Sequence, residues 1–224
     1  MSQFFSDANA IADYAERTAR LVPGLSDMQR MAALLIAEGA AQDARVLVVG
    51  AGGGLELKLF AERHPAWRFA GVDPSAEMLE LAKKTLGPSA SRVDWHLGYV
   101  GTAPAGPFDA ASCLLTLHFV AEQERARTLD EIHERLKPGA PFVAAHLSFD
   151  QSERARGQWL DRYVAYAVAS GVDEQKARTA ADTIGAQVPV LSPEKDVDLM
   201  RRAGFRDVEL FYVGLAFRGW VARA

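Results

Sequence analysis

The run Val46–Leu47–Val48–Val49–Gly50–Ala51–Gly52–Gly53–Gly54, followed at once by Leu55–Glu56–Leu57–Lys58–Leu59–Phe60, constrains this chain more than any other stretch. Four branched aliphatic residues in a row read as a buried strand, and the glycines behind them make a tight turn before a helix begins. A strand that passes through glycine into a helix lets backbone N–H groups and a helix N-terminus come close to a ligand. The first inference is an α/β fold that binds a nucleotide-like cofactor.

Glycine spacing narrows the nucleotide. A dinucleotide turn aligned on Gly50 and Gly52 needs a small third residue at position 55, and Leu55 stands there. The next strand, Arg68 to Val72, runs into Asp73, where such folds offer a carboxylate to a ribose diol.

The rest of the chain reads as one wound sheet. At 224 residues, 49% of them hydrophobic, it is long enough for a single α/β domain spanning 1–224. Ile11, Tyr14, Ala15, Thr18 and Ala19 share a helical face, Pro23–Gly24 breaks it, and Met28 to Ala37 forms a second helix, so residues 1–41 read as a helical lid. Strands are expected at Arg45–Val49, Arg68–Val72, Arg92–Leu97, Phe108–Leu115 and Pro141–Leu147, with helices between them over 55–63, 73–84 and 124–136. That alternation predicts parallel βαβ units. Residues 152–192 read as a helical cap, followed by a helix over 194–203. Strands over 208–213 and 216–222, joined at Gly214, form an antiparallel hairpin. The predicted architecture is a Rossmann-like, doubly wound, seven-stranded, mostly parallel sheet with a C-terminal hairpin.

Composition excludes several classes. A net charge of −4 gives no global attraction to phosphate backbones, and Arg201, Arg202 and Arg206 read as a solvated face, so nucleic acid is not an expected partner. The single Cys113 sits among apolar neighbours and reads as a small core residue, which fits a reducing cytoplasm. No basic signal region opens the chain, and the apolar run 31–37 is too short to cross a bilayer. The five histidines show no paired ligand spacing, so no metal is expected.

Four landmarks follow one another: V-L-V-V-G-A-G-G-G, G-V-D-P-S-A-E-M-L-E-L-A-K-K, F-D-A-A-S-C-L-L-T-L-H-F and L-K-P-G-A-P-F-V. In this order they resemble the class I S-adenosylmethionine (SAM)-dependent methyltransferases over essentially the whole chain. Leu21–Val22–Pro23–Gly24, Thr116–Leu117–His118–Phe119 and Ala216–Phe217–Arg218–Gly219–Trp220–Val221–Ala222 are similar to the carboxy-SAM synthase group and its methyltransferase relatives. The resemblance implies SAM as cofactor, S-adenosylhomocysteine as product and a small-molecule acceptor. It implies that Gly50, Ala51 and Gly52 line the methionine and ribose portion while Gly54 lets the helix pack close. Asp73 would hold the ribose, Pro74 and Met78 would flank the adenine, and Gly98–Tyr99–Val100 would hold its edge. Leu114 and Leu115 would touch the methionyl tail, and Arg20 would reach the cofactor carboxylate.

Departures from the family pattern are as informative. An acid usually stands two residues before the first glycine, where this chain has Val48, and another follows the Gly98 position, where it has Tyr99. Glu56 is the expected partial substitute for the first. The arginine that carboxy-SAM synthases use to hold the extra carboxylate aligns with Leu199, and two further positions of that group are Leu25 and Leu114. Plain methyl transfer is therefore favoured, with Arg201 or Arg202 keeping carboxy-SAM chemistry open and the two missing acids keeping a non-catalytic SAM-binding module open. For an acceptor that must lose a proton, His118 and His146 are the candidate bases, both at C-terminal strand ends. Trp159, Tyr163 and Tyr166 share a helical face and could wall the acceptor. The C-terminal hairpin could also pair two subunits as a homodimer.

Overall fold

The computed structural model describes residues 14–224. The part of the expected first helix before Tyr14, including Ile11, lies outside the described residues. Two helices, α1 (Tyr14–Leu21) and α2 (Leu25–Ala37), lead into β1 (Arg45–Val49), α3 (Leu55–Arg63), β2 (Arg68–Asp73), α4 (Ala76–Leu86) and β3 (Val93–Leu97). The chain continues through β4 (Ala110–Leu114), α5 (Glu122–Glu134), β5 (Pro141–Leu147), α6 (Glu153–Ala169), α7 (Glu174–Gln187) and α8 (Pro193–Arg202), and ends with β6 (Arg206–Gly214) and β7 (Phe217–Arg223).

The strands form one seven-stranded sheet in the order β3-β2-β1-β4-β5-β7-β6. The first five run parallel, and β7 inserts antiparallel between β5 and β6. This is the predicted doubly wound sheet. Because β1 lies between β2 and β4, the chain reverses direction across the sheet there, and a crevice opens at the C-terminal ends of β1 and β4.

Alternate strand residues feed two apolar layers, as a parallel sheet covered on both faces requires. Val46, Val48, Val143 and Ala145 pack with Met28 and Ile36 of α2 and Phe60 of α3. Leu47, Ala111, Cys113 and Phe142 pack with Leu129 and Ile132 of α5 and with Met200 of α8. Helix starts follow their capping residues: Ser75 accepts from the Met78 N–H, Asp173 from the Lys176 N–H and Ser192 from the Lys195 N–H, with Pro193 opening α8.

Three local expectations change. β4 is shorter than 108–115: Phe108 joins only an isolated bridge to Leu136, and Leu115 leaves the strand in a left-handed conformation, φ 57°. The hairpin turn falls at Leu215–Ala216, because β6 continues through Gly214. And of the two helices before β1, α2 is a layer helix with Met28, Ala32, Ala33 and Ile36 fully buried and Gln29 reaching the crevice, whereas α1 borders the crevice along its length.

Candidate active site

The glycine turn is held by the sheet. The N–H groups of Gly50 and Ala51 both donate to the Val72 carbonyl, at 2.8 and 3.0 Å. A Cβ on Gly52 would lie 2.7 Å from Asp73 Oδ2 and 2.9 Å from Met78 Cβ, so glycine is what lets the carboxylate meet the turn. Gly52 N–H donates to Asp73 Oδ2 at 3.0 Å and Ser75 N–H to Oδ1 at 2.9 Å. Each oxygen keeps a lone pair for a diol. Burial raises the Asp73 carboxyl above its ordinary value, and these two bonds oppose the rise.

A cleft of about 830 Å³ opens over this turn. Its floor holds Gly50, Gly52, Asp73, Pro74, Met78, Leu114 and Leu115, and Tyr99 stands exposed at its mouth. The left-handed Leu115, whose N–H donates to Ala145 O at 2.6 Å, is a strained non-glycine residue at the strand end, a conformation that tends to cluster at functional sites. Ala51 and Val100 are buried away from the cleft, and Gly54 packs against Ala82 and Leu86 of α4. Gly98 acts behind the wall, its N–H donating to the Asp73 carbonyl.

Glu56, in the first turn of α3, lines the same cleft, and its Oε1 is buried with no hydrogen-bond partner. Burial lifts its carboxyl to about 8; its own N–H works against this and the neighbouring Asp73 adds to it. Tyr14, across from it on α1, is raised to about 12 by burial first and Glu56 second. Val48 is fully buried in the strand, so Glu56 and Asp73 are the carboxylates of this wall.

The two candidate bases separate. The His118 ring lines the cleft with its Nδ1 buried and unpartnered, its centroid 4.1 Å from that of Phe119. Burial, then the charge of His146 and Arg125, hold it well below the ordinary histidine value, against the pull of Asp196, so at neutral pH it is an uncharged imidazole. His146 is fully buried and does not reach the cleft. Its side chain sits on the opposite sheet face, with Nε2 3.2 Å from Asp196 Oδ2, close enough for an ion pair but out of line for a good hydrogen bond.

Asp196 of α8 is the centre of a buried polar network. Its Oδ1 accepts from Arg125 Nη1 at 2.6 Å and its Oδ2 from Ser148 Oγ at 2.7 Å. Arg125 also donates to the Pro189 carbonyl at 2.8 Å. Burial would raise Asp196, but His146, Arg125 and Ser148 together hold it below the usual carboxylate range. The ring centroids of His118 and His146 are 6.5 Å apart, so this network lies directly behind the cleft.

The helical walls differ from the sequence reading. Of the aromatic trio only Tyr163 faces the cleft, near Phe217. Trp159 carries the guanidinium groups of Arg162 and Arg218 over its ring, 4.4 and 5.1 Å from the centroid, and Tyr166 lies outside the lining. Arg20 points away and pairs with Glu16, and Arg17 lines the cleft in its place. Sequence reasoning missed the α7 contribution, where Gln175, Thr179 and Thr183 recur every four residues and present a polar stripe beside Lys176. Leu199 and Leu25 are buried in the core, Arg202 pairs with Asp198 at 2.8 Å, and neither Arg201 nor Arg202 reaches the cleft. Among the described residues no group of three or more His, Cys, Asp or Glu could hold a metal, and no helix is long and apolar enough to cross a membrane.

Comparison with known proteins gives the class of this fold: the chain has the fold of the SAM-dependent methyltransferases. Residues 46–139 match the model of a methyltransferase-domain family. The carboxy-S-adenosyl-L-methionine synthase of Campylobacter lari is 20% identical over 98% of this chain and 94% of its own length. An O-methyltransferase family protein from Burkholderia thailandensis superposes with a TM-score of 0.67 at 17% identity, covering 99% of this chain and 61% of that one. Human N-acetylserotonin methyltransferase, solved with SAM, gives a TM-score of 0.59 at 18% identity over 97% of this chain and 59% of that one. The chain thus spans about three fifths of the length of these two structural relatives.

Proposed function

We propose that the protein is a cytoplasmic SAM-dependent methyltransferase acting on a small-molecule acceptor. The observation that carries this reading is the single cleft in which the glycine turn, Asp73 and the uncharged His118 meet walls supplied by α1 and α7. The residues fit the cofactor: Gly50 and Gly52 leave the turn open, Asp73 keeps lone pairs for the ribose, and Met78, Leu114 and Leu115 offer apolar surface to the adenine and the methionyl tail.

Bound SAM would supply a methyl group activated on its sulfonium, which the acceptor would take as the carbon–sulfur bond breaks. The protein aligns the acceptor and excludes water. Leu115 and Tyr163 border the route of approach, and α7 closes it with Gln175, Thr179 and Thr183. For an acceptor hydroxyl, the imidazole of His118 takes the proton. Its lowered basicity keeps it free to do so at neutral pH.

Carboxy-SAM chemistry is the second reading, favoured by the full-length likeness to the Campylobacter lari protein. Arg17 and Lys176 are the cations on the cleft wall that could meet an extra carboxylate. Calorimetric titration with SAM, S-adenosylhomocysteine and carboxy-SAM separates the two: methyl transfer predicts saturable binding of the first two, and a preference for the third would favour the synthase-like reading. In an acceptor screen, His118→Gln should leave SAM affinity within about twofold and lower kcat by roughly 10²–10⁴ for a hydroxyl acceptor. An unchanged kcat would remove His118 from catalysis. A homodimer through the exposed Leu210 and Val213 of the β6 edge is proposed as well, to be checked by light scattering.

A further inference from the structure

The cleft buries an acid that the fold itself does not use. Glu56 Oε1 is shut off from solvent, has no hydrogen-bond partner, and faces the space above the glycine turn. Among the described residues Glu56 makes no ion pair with any Lys, Arg or His. A buried carboxyl group with one oxygen unpartnered is costly to ionise in a binding cleft unless it meets a cation.

We propose that Glu56 anchors a cationic group of the bound cofactor and that the cleft accepts this cation in exchange for a proton, so that cofactor binding is linked to pH. The inference rests on the SAM reading and adds to it the residue that replaces the absent acid at Val48. In the free protein the Glu56 carboxyl carries its proton. On binding, its O–H bond breaks, the proton passes to solvent, and the carboxylate forms an ion pair with the ammonium of the methionine moiety. A buried charge is then paired, not isolated.

The surroundings of Glu56 support this exchange. Asp73 at the end of β2 contributes negative charge and disfavours a second carboxylate beside it. Tyr14 on α1 and Cys113 on β4 also feel the Glu56 charge, and both stay uncharged at neutral pH because burial raises them. Arg17 is the cation of the α1 wall, and it acts on Tyr14 and Tyr163. With Glu56 lifted to about 8, the free site is roughly nine-tenths protonated at pH 7, and an ammonium beside it would return it to the ordinary carboxylate range.

The test is titration of the intact chain with S-adenosylhomocysteine at pH 6.5 in buffers of different ionisation enthalpy, which counts protons exchanged on binding. The expected result is about one proton released per ligand, with affinity rising by up to about tenfold per pH unit between pH 6 and 7.5, where the ligand's α-amino group remains charged. Glu56→Gln should abolish the release and weaken binding at least about tenfold, and Glu56→Asp should retain part of both. Binding with no proton release, or an unchanged Glu56→Gln, overturns the inference and leaves the cofactor reading intact. No binding of SAM or S-adenosylhomocysteine by folded parent protein overturns both.

A ligand-free measurement stands beside it. A carboxyl whose folded value is raised favours folding fully below its unfolded value near 4.5 and loses that contribution as pH rises toward about 8. The parent should therefore lose stability across that window relative to Glu56→Gln. Parallel pH profiles would show that Glu56 ionises freely and would sink the exchange.

Discussion

On the β1–β2 side of the cleft, the lining is the glycine-turn backbone, a few apolar side chains and two carboxyl groups, Asp73 pinned by two N–H groups and Glu56 at the start of α3; on the α1–α7 side it is side chains projecting from helix faces. The first wall is fixed by sheet register, since β1 pairs residue for residue with β2 from Arg45–Arg68 to Val49–Val72, which brings Gly50 and Asp73 together. The second wall depends on how far each helix is rotated and on what ties it down. Rigid backbone suits a cofactor common to many enzymes, and replaceable side chains suit an acceptor that differs among them.

The largest expected effect comes from filling the first wall. In Gly52→Val the new side chain would collide with Asp73 Oδ2 and Met78 Cβ. SAM binding should be lost beyond detection in calorimetry while the fold, read by circular dichroism, persists. Asp73→Ala removes the acceptor for the Gly52 and Ser75 N–H groups as well as the ribose partner, and should weaken binding on the order of a hundredfold or more. Near-parent affinity in either variant would mean that the cofactor does not lie over the turn.

The second wall should break at its anchor. Arg125 and Asp196 are both almost wholly inaccessible, and Arg125 also holds the Pro189 carbonyl of the segment that returns from α7 to α8. Arg125→Met leaves the Asp196 carboxylate buried without its guanidinium and should cost roughly 3–5 kcal/mol in urea denaturation. The double variant Arg125→Met, Asp196→Leu should recover part of this, because no carboxylate is left buried alone, while the Pro189 carbonyl and Ser148 still lose their partners. A loss under about 1 kcal/mol in the single variant would show that the cap is held by apolar packing alone.

The same contrast explains what could be read from the residues. Strand positions, the parallel sheet and the hairpin were legible because glycine, proline and aliphatic runs punctuate the chain with steric rules that tertiary context seldom overrides. Gly50, Gly52 and Asp73 were placed by the same rules, Met78 and Leu115 by the resemblance to the methyltransferases, and all five line the cleft. The helical walls were less legible because a shared helix face does not say what lies opposite it. Trp159, Tyr163 and Tyr166 do share a face, yet that face spans both the cleft and the C-terminal hairpin, and Arg218 draws Trp159 to the latter. His146 stands at a strand end as expected, but β5 pleating turns it to the far face, where Asp196 waits. The one overlooked signal was the four-residue polar repeat of α7, Gln175–Thr179–Thr183, on a helix that also buries Ala177 and Ala181.

The smallest expected effect is also the sharpest check on helix rotation. Tyr14, Arg17, Thr18 and Leu21 form an i, i+3, i+4, i+7 stripe facing the cleft, and Arg20 falls about 100° of helix rotation from Leu21, outside the stripe. An exposed pair such as Arg20–Glu16, spaced i, i+4, contributes about 0.3–0.5 kcal/mol to a helix. Arg20→Ala should therefore shift stability by no more than that and leave ligand affinity unchanged. Arg17→Ala removes a guanidinium from the cleft wall and should weaken binding of a carboxylate-bearing ligand about tenfold, read as SAM Kd or acceptor KM. If Arg20→Ala proved the more damaging of the two for binding, α1 would be rotated in solution by about one residue, with Arg20 in place of Arg17 on the cleft wall.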